Sequence, residues 1–154
     1  MKKMASSLVK NDVHLVFHVK STSVVIRDVD IVPTHKYMGG VLKSIDAIPI
    51  CIGGINNHVH ILCSLPSTVR MADLVRTVKA NTSRWIKTLD PYYRQFEWQK
   101  GYGAFSVGPS LLTKTIQYIK TQAEHHKKIL PKDEYIAFLN AYHIEYNPDY
   151  VLSD

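Results

Sequence analysis

The stretch Asn57-His58-Val59-His60-Ile61 holds two histidines separated by one apolar residue. In extended backbone, side chains alternate between faces. His58 and His60 then point one way and Val59 into the opposite layer. Two neutral imidazoles on one face of one strand can hold a single divalent cation. Two strand histidines with purely structural hydrogen bonds would look the same, so a functional reading needs a third ligand and a group that reacts. Tyr118 and Gln122 are four residues apart, which on a helix stacks them one turn apart on one face. At 100° per residue, their mean direction lies about 110° from the centre of the stripe Leu112, Ile116, Ile119 and Ala123, so they flank the core rather than fill it. Gln122 offers a neutral oxygen and Tyr118 a phenolic one. A metal with open positions can hold a phosphate oxygen and polarise phosphorus, and a tyrosine can attack to give a covalent phosphotyrosine. Free tyrosine titrates near 10, so metal and phosphate must supply its activation. Such a step conserves the phosphodiester's energy, which suits strand transfer better than hydrolysis. His125 and His126 follow one turn later and compete with Gln122 as third ligand, ranking below it.

The elements that must position these groups are legible from periodicity. Residues 12–20 alternate, with Val13, Leu15, Phe17 and Val19 on one face and His14, Val16, His18 and Lys20 on the other, which predicts a strand. Val24-Val25-Ile26 is a short β-branched run that extends a hairpin in this reading. Asp30 to Pro33 mark a helix start, followed by Tyr37, Val41, Leu42 and Ile45 at helical spacing, with Gly39-Gly40 weakening its middle. Ile48 to Ile55 reads as a strand in which Pro49 argues for an edge, Gly53-Gly54 for a bulge and Asn56-Asn57 for a tight turn. His58 to Leu65 is the next strand. Ser67 or Thr68 can cap a helix carrying Met71, Leu74, Val75, Val78, Trp85, Ile86 and Leu89 as one stripe, stopped at Asp90-Pro91. Tyr102 to Val107 makes a fourth strand, and Gly108-Pro109-Ser110 opens a helix running to about Ile129. The order is that of an α+β, ferredoxin-like βαββαβ sandwich: an antiparallel sheet with helices, plus a C-terminal tyrosine-bearing helix. The first and third strands are then central neighbours. The face that carries the histidine pair stays open at this point.

The chain has 154 residues, 45% hydrophobic and 21% charged, which fits one globular domain over 1–154 with a core of about 12–130 and an appendage at 131–154. The formal net charge of +6 favours a polyanionic partner. Arg76, Arg84 and Lys87 lie opposite the apolar stripe of their helix, where a solvated face and a DNA-binding face both remain open. Tyr92, Tyr93, Phe96, Trp98 and Tyr102 interleave with Arg94 and Lys100, which suits stacking on unpaired bases with phosphate contact. Aromatics filling a core edge would give the same pattern. Lys79 joins Arg76, Arg84, Lys87 and Lys100 as the candidate DNA-binding set. Cys51 and Cys63 have neither zinc nor redox spacing and read as free thiols. No apolar run follows the basic start, and none is long enough to span a bilayer, so a cytoplasmic location and no membrane partner are expected.

Five stretches, in order, resemble one known family. They are His14-Leu15-Val16-Phe17-His18-Val19-Lys20; Gly53-Gly54-Ile55-Asn56-Asn57-His58-Val59-His60-Ile61-Leu62; Val78-Lys79-Ala80-Asn81-Thr82-Ser83; Trp98-Gln99-Lys100-Gly101-Tyr102-Gly103-Ala104-Phe105-Ser106-Val107; and Tyr118-Ile119-Lys120-Thr121-Gln122. The chain resembles the single-tyrosine HUH transposases of insertion sequences and their relatives associated with repetitive palindromes, over about residues 12–128. The resemblance implies cutting and rejoining of single-stranded DNA near hairpins through a 5′-phosphotyrosine with a free 3′-hydroxyl. It implies magnesium or manganese as cofactor. It makes His58, His60 and Gln122 the metal ligands and Tyr118 the nucleophile. It also implies a homodimer, often with the tyrosine helix serving the partner's histidine pair. One residue departs from the pattern: Asn57 stands where an acid is expected, and an amide cannot offer a charge to orient an imidazole. Two other functions compete, a non-catalytic hairpin DNA- or RNA-binding module and a metal-dependent nuclease that releases its product.

Overall fold

The computed structural model describes residues 7–122, together with the helical positions Asp133, Ile136, Ala137 and Asn140. His125 and His126 lie outside the described residues, as does Ala123. Four strands, β1 (Asp12–His18), β2 (Ile48–Ile55), β3 (His58–Ser64) and β4 (Gly103–Ser106), form one sheet in the order β2-β3-β1-β4. Every pairing is antiparallel. Helices α1 (Asp28–Ser44), α2 (Met71–Ile86) and α3 (Leu112–Lys120) complete the order expected of a ferredoxin-like fold with an added C-terminal helix.

The alternation in β1 and β3 decides which layer each residue enters. Val13, Leu15 and Phe17, with Val59, Ile61 and Cys63, form one cluster with Met38, Val41 and Leu42 of α1 and Leu74, Val75 and Val78 of α2. The intervening residues face the other way. There Leu62 packs on Ile119, with Leu112, Ile116 and Tyr118 of α3 around it. The sheet is therefore covered on both faces, and the histidine pair sits on the α3 side. The cysteines divide likewise: Cys63 belongs to the α1/α2 cluster and Cys51 packs on the α3 side, and both are free.

Four local features differ from the periodicity reading. Val24-Val25-Ile26 forms no strand; Ile26 instead donates its N–H to Asn56 O and joins a second cluster with Val19, Ile86, Tyr93 and Phe96. The N-cap of α2 is Arg70, with no side-chain cap, rather than Ser67 or Thr68. α2 also ends at Ile86, before Asp90, whose carboxylate accepts from Tyr92 N to cap a single 3-10 turn, Pro91–Tyr93. In β2 the register shift falls between Pro49 and Cys51, not at the glycine pair. Gly53 and Gly54 serve closer approaches. A Cβ on Gly53 would stand 2.5 Å from Ile119 O, and one on Gly54, whose φ is +140°, 2.4 Å from His58 O. Gly53 is thus where α3 backbone comes down onto the sheet, beside its register partner His60.

Most of the aromatic stretch is core. Tyr93 and Phe96 are fully buried, and Trp98 packs edge-on against Phe17 and Phe96 at centroid distances of 4.9 and 5.0 Å. The Tyr93 hydroxyl donates to Asp30 at 2.5 Å and accepts from Arg27 N at 2.9 Å. Base stacking is closed to Tyr93 and Phe96, while Trp98 is half-buried. Tyr92 and Tyr102 stay at the surface.

Candidate active site

The β2–β3 hairpin sets the geometry. Ile55 pairs with His58, leaving Asn56-Asn57 as its two-residue turn. Asn57 O accepts from Val19 N at 2.7 Å, which ties the turn to the end of β1. The Asn57 side chain then reaches the first histidine, its Oδ1 lying 2.8 Å from His58 Nδ1. An amide oxygen can only accept, so Nδ1 carries the hydrogen and the neutral ring keeps its lone pair on Nε2.

Gln122 lies two residues past the end of α3 and is 1% exposed, so it is buried rather than flanking. Its amide nitrogen donates to Tyr118 O at 3.1 Å, one helical turn back. That bond turns Oε1 toward His58 Nε2, 3.4 Å away. These two atoms, each oriented by a second hydrogen bond of its own side chain, face each other at a spacing that would suit two ligands of one divalent cation. Ligands about 2.1 Å from a small divalent ion and at right angles stand about 3 Å apart, close to this spacing.

His60 lies one position along the same strand face, its ring centroid 5.2 Å from that of His58. Its Nδ1 is 2.9 Å from His14 Nε2. The Tyr118 ring stands edge-on to His60 at 5.6 Å and to His14 at 6.3 Å. His14 is 1% exposed, and burial depresses its pKa to about 4, so it is a neutral ring at pH 7. Among the described residues no group of three or more His, Cys, Asp or Glu side chains could hold a metal ion. The set assembled here fits a divalent cation in a different way, with two imidazoles and an amide oxygen as donors and no carboxylate among them.

The structure therefore brings His58, His60, Gln122 and Tyr118 together within one chain. The candidate DNA-binding residues lie elsewhere, since α2 packs on the opposite face of the sheet. Arg76, Lys79, Lys87 and Lys100 line a groove of about 530 Å³ there, with Trp98 and Tyr102. Lys79 is committed to the fold. It donates to Gln99 O and Gly101 O at 2.9 and 2.8 Å, and burial lowers its pKa to about 8. Arg76 pairs with Asp73, and Arg84 donates to Asn81 Oδ1 at 2.7 Å, outside the groove lining. Sequence reasoning missed Gln99, which is buried and clamps the end of β1: its N–H donates to His18 O at 3.0 Å and its Oε1 accepts from His18 N at 2.8 Å. It also gave His14 no part; the register of β1 on β3 puts it on the face of the histidine pair.

The chain belongs to the IS200-like transposase family, whose sequence profile, described as "Transposase IS200 like", matches residues 7–122. Two solved structures share the fold. A putative transposase from Deinococcus radiodurans R1 superposes with a TM-score of 0.61 at 19% identity, over 79% of this chain and 98% of that one. A REP-associated tyrosine transposase bound to a REP hairpin superposes with a TM-score of 0.58 at 12% identity, over 100% of this chain and 94% of that one. Comparison with curated proteins finds no match. Among the described residues no helix is long and apolar enough to cross a membrane.

Proposed function

We propose that this chain is a metal-dependent DNA strand transferase that cuts and rejoins single-stranded DNA beside hairpins, with Tyr118 as nucleophile. The observation that carries the reading is the convergence on one sheet face: Gln122 Oε1 faces His58 Nε2 at 3.4 Å while Tyr118, four residues earlier on α3, stands edge-on to His60. His58, His60 and Gln122 hold the cation. Two imidazoles beside one amide oxygen suit manganese better than the harder magnesium. Bound there, the cation supplies Lewis acidity to the scissile phosphate. The Tyr118 oxygen attacks phosphorus, forming a P–O bond as the bond from phosphorus to the 3′-oxygen breaks. The phenolic proton is lost, and the departing oxygen leaves as a 3′-hydroxyl. A second 3′-hydroxyl attacking the 5′-phosphotyrosine reverses the step and rejoins DNA.

The hairpin bound to the REP-associated relative supports hairpin DNA as the substrate. Lys87 and Lys100 are exposed cations on the groove and supply phosphate contacts, Lys79 acting mainly through the loop it holds. A homodimer is the expected assembly. The test is covalent capture: a labelled single-stranded hairpin incubated with protein and manganese, then run on a denaturing protein gel. Wild type yields a labelled protein band and Tyr118→Phe none. No band with wild type, or a band surviving in the variant, sinks the tyrosine mechanism. DNA cleavage persisting in Tyr118→Phe would point to a nuclease, and hairpin binding without cleavage to a binding module.

A further inference from the structure

We propose that His14 is a positioning residue for His60: its Nε2 accepts the Nδ1–H of His60, so that the His60 ring presents the Nε2 lone pair to the cation. The inference rests on the metal-site reading above and adds a residue to it.

The geometry comes from strand register. His14 pairs with Leu62 and His60 with Val16, so the two histidines are diagonal neighbours on one face of the β1–β3 pair. Their ring centroids are 5.1 Å apart and their nearest nitrogens 2.9 Å, a hydrogen-bond distance. Two neutral imidazoles sharing one hydrogen have two arrangements. If His14 donates, His60 carries its own hydrogen on Nε2 and both its nitrogens are lost as ligands. If His60 donates, its Nε2 is left with a lone pair. Nδ1 is already turned toward β1, so Nε2 is the nitrogen His60 has for the cation that His58 Nε2 and Gln122 Oε1 address. Ligation therefore requires His14 to be the acceptor.

Packing holds His14 to that task. Phe105, its direct partner on β4, lies 6.3 Å away by ring centroid, and Tyr118 stands edge-on at the same distance. The result matches the arrangement at His58, where Asn57 Oδ1 takes the Nδ1 hydrogen. Each imidazole ligand is braced at Nδ1 by an uncharged acceptor, one from the hairpin turn and one from the neighbouring strand.

Two measurements on the full chain test this. The first is manganese affinity, read from the electron paramagnetic resonance of free Mn²⁺. His14→Gln keeps an acceptor oxygen and His14→Phe keeps a ring without one. The expected result is a loss of about ten- to a hundredfold in His14→Phe with most of the affinity retained in His14→Gln. Equal affinity in His14→Phe and wild type overturns the inference while leaving the metal site standing. Wild type that binds no manganese, or binds it no better than His58→Ala, overturns the metal-site reading and this inference with it. The second is the histidine ring ¹⁵N spectrum of wild type, which needs no variant to fold. His60 showing Nδ1–H with magnesium present supports the proposal, and His60 showing Nε2–H overturns it.

Discussion

Asn57 stands where a carboxylate would both orient the first histidine and add charge to it. The amide does only the first, through the 2.8 Å bond to His58 Nδ1. Asn57→Ala removes the acceptor and lets the ring turn; manganese affinity falls about tenfold or more. Asn57→Asp keeps the geometry and makes the hydrogen bond charge-assisted, so affinity rises. A manganese titration of the three proteins decides it: an alanine variant as tight as wild type would refute the orienting role, and an aspartate variant weaker than wild type would refute the gain from charge. The departure at Asn57 was visible in the sequence, but its consequence was not. Whether an amide can stand in for an acid depends on where its oxygen points, and that is fixed by a turn tied to β1 through Val19 N. Gln122 shows the same limit. Its spacing from Tyr118 follows from helical period alone, whereas its burial depends on how closely α3 lies on the sheet.

That closeness belongs to the elements. α3 meets β2 at Gly53, where an added Cβ would fall 2.5 Å from Ile119 O and 2.7 Å from its Cγ2. Backbone cannot move aside as a flexible side chain can, so Gly53→Ala pushes α3 outward and takes Gln122 and Tyr118 away from the histidine pair. The expected cost is about 1–3 kcal/mol of stability. Adduct formation falls by more than the loss of folded protein explains, which thermal melting beside the capture assay will show. α1 carries a second, independent sensitivity. Burial lowers the pKa of His35 to about 4 from 6.5. Its folded-state pKa lies below the unfolded one, so the unfolded chain takes up the proton first. Stability is retained above pH 6.5 and falls as pH drops toward 4, by roughly 1–2 kcal/mol at pH 5 from this residue. Melting curves at pH 7 and pH 5 should show that fall, and His35→Gln should reduce it. The β strands and the αβ order could be read from alternation and stripes because burial on one face leaves that record. The fate of Val24-Val25-Ile26 and of Tyr93, Phe96 and Trp98 could not. Their packing joins distant segments, such as the Arg27 and Asp30 contacts of the Tyr93 hydroxyl, and no local period encodes it.

At the scale of the molecule, the sheet separates two kinds of surface. The histidine pair lies under α3, which carries Tyr118, and the groove with Lys87 and Lys100 lies on the α2 side. A net charge of +6 would draw nucleic acid to the whole molecule, but in the proposed mechanism the reacting phosphate must reach the α3 face. The composition gave the first fact; the second needs the layering of the sheet, which the sequence left open. The donor set beneath α3 has a thermodynamic consequence of its own. His58, His60 and Gln122 are uncharged as ligands, so a divalent ion held by them keeps its full double charge in a buried setting, where charge is costly. In the proposed mechanism the DNA backbone would be the neutralising partner. Ion and strand should then bind cooperatively, and by linkage each raises the other's affinity by the same factor, about 5- to 150-fold for 1–3 kcal/mol of coupling. Measuring manganese affinity with and without an uncleavable hairpin, and hairpin affinity with and without manganese, gives that factor twice. Two equal factors near unity would show that the site compensates the ion's charge by itself. Equal factors well above it would mean that the protein idles without bound metal until its substrate arrives.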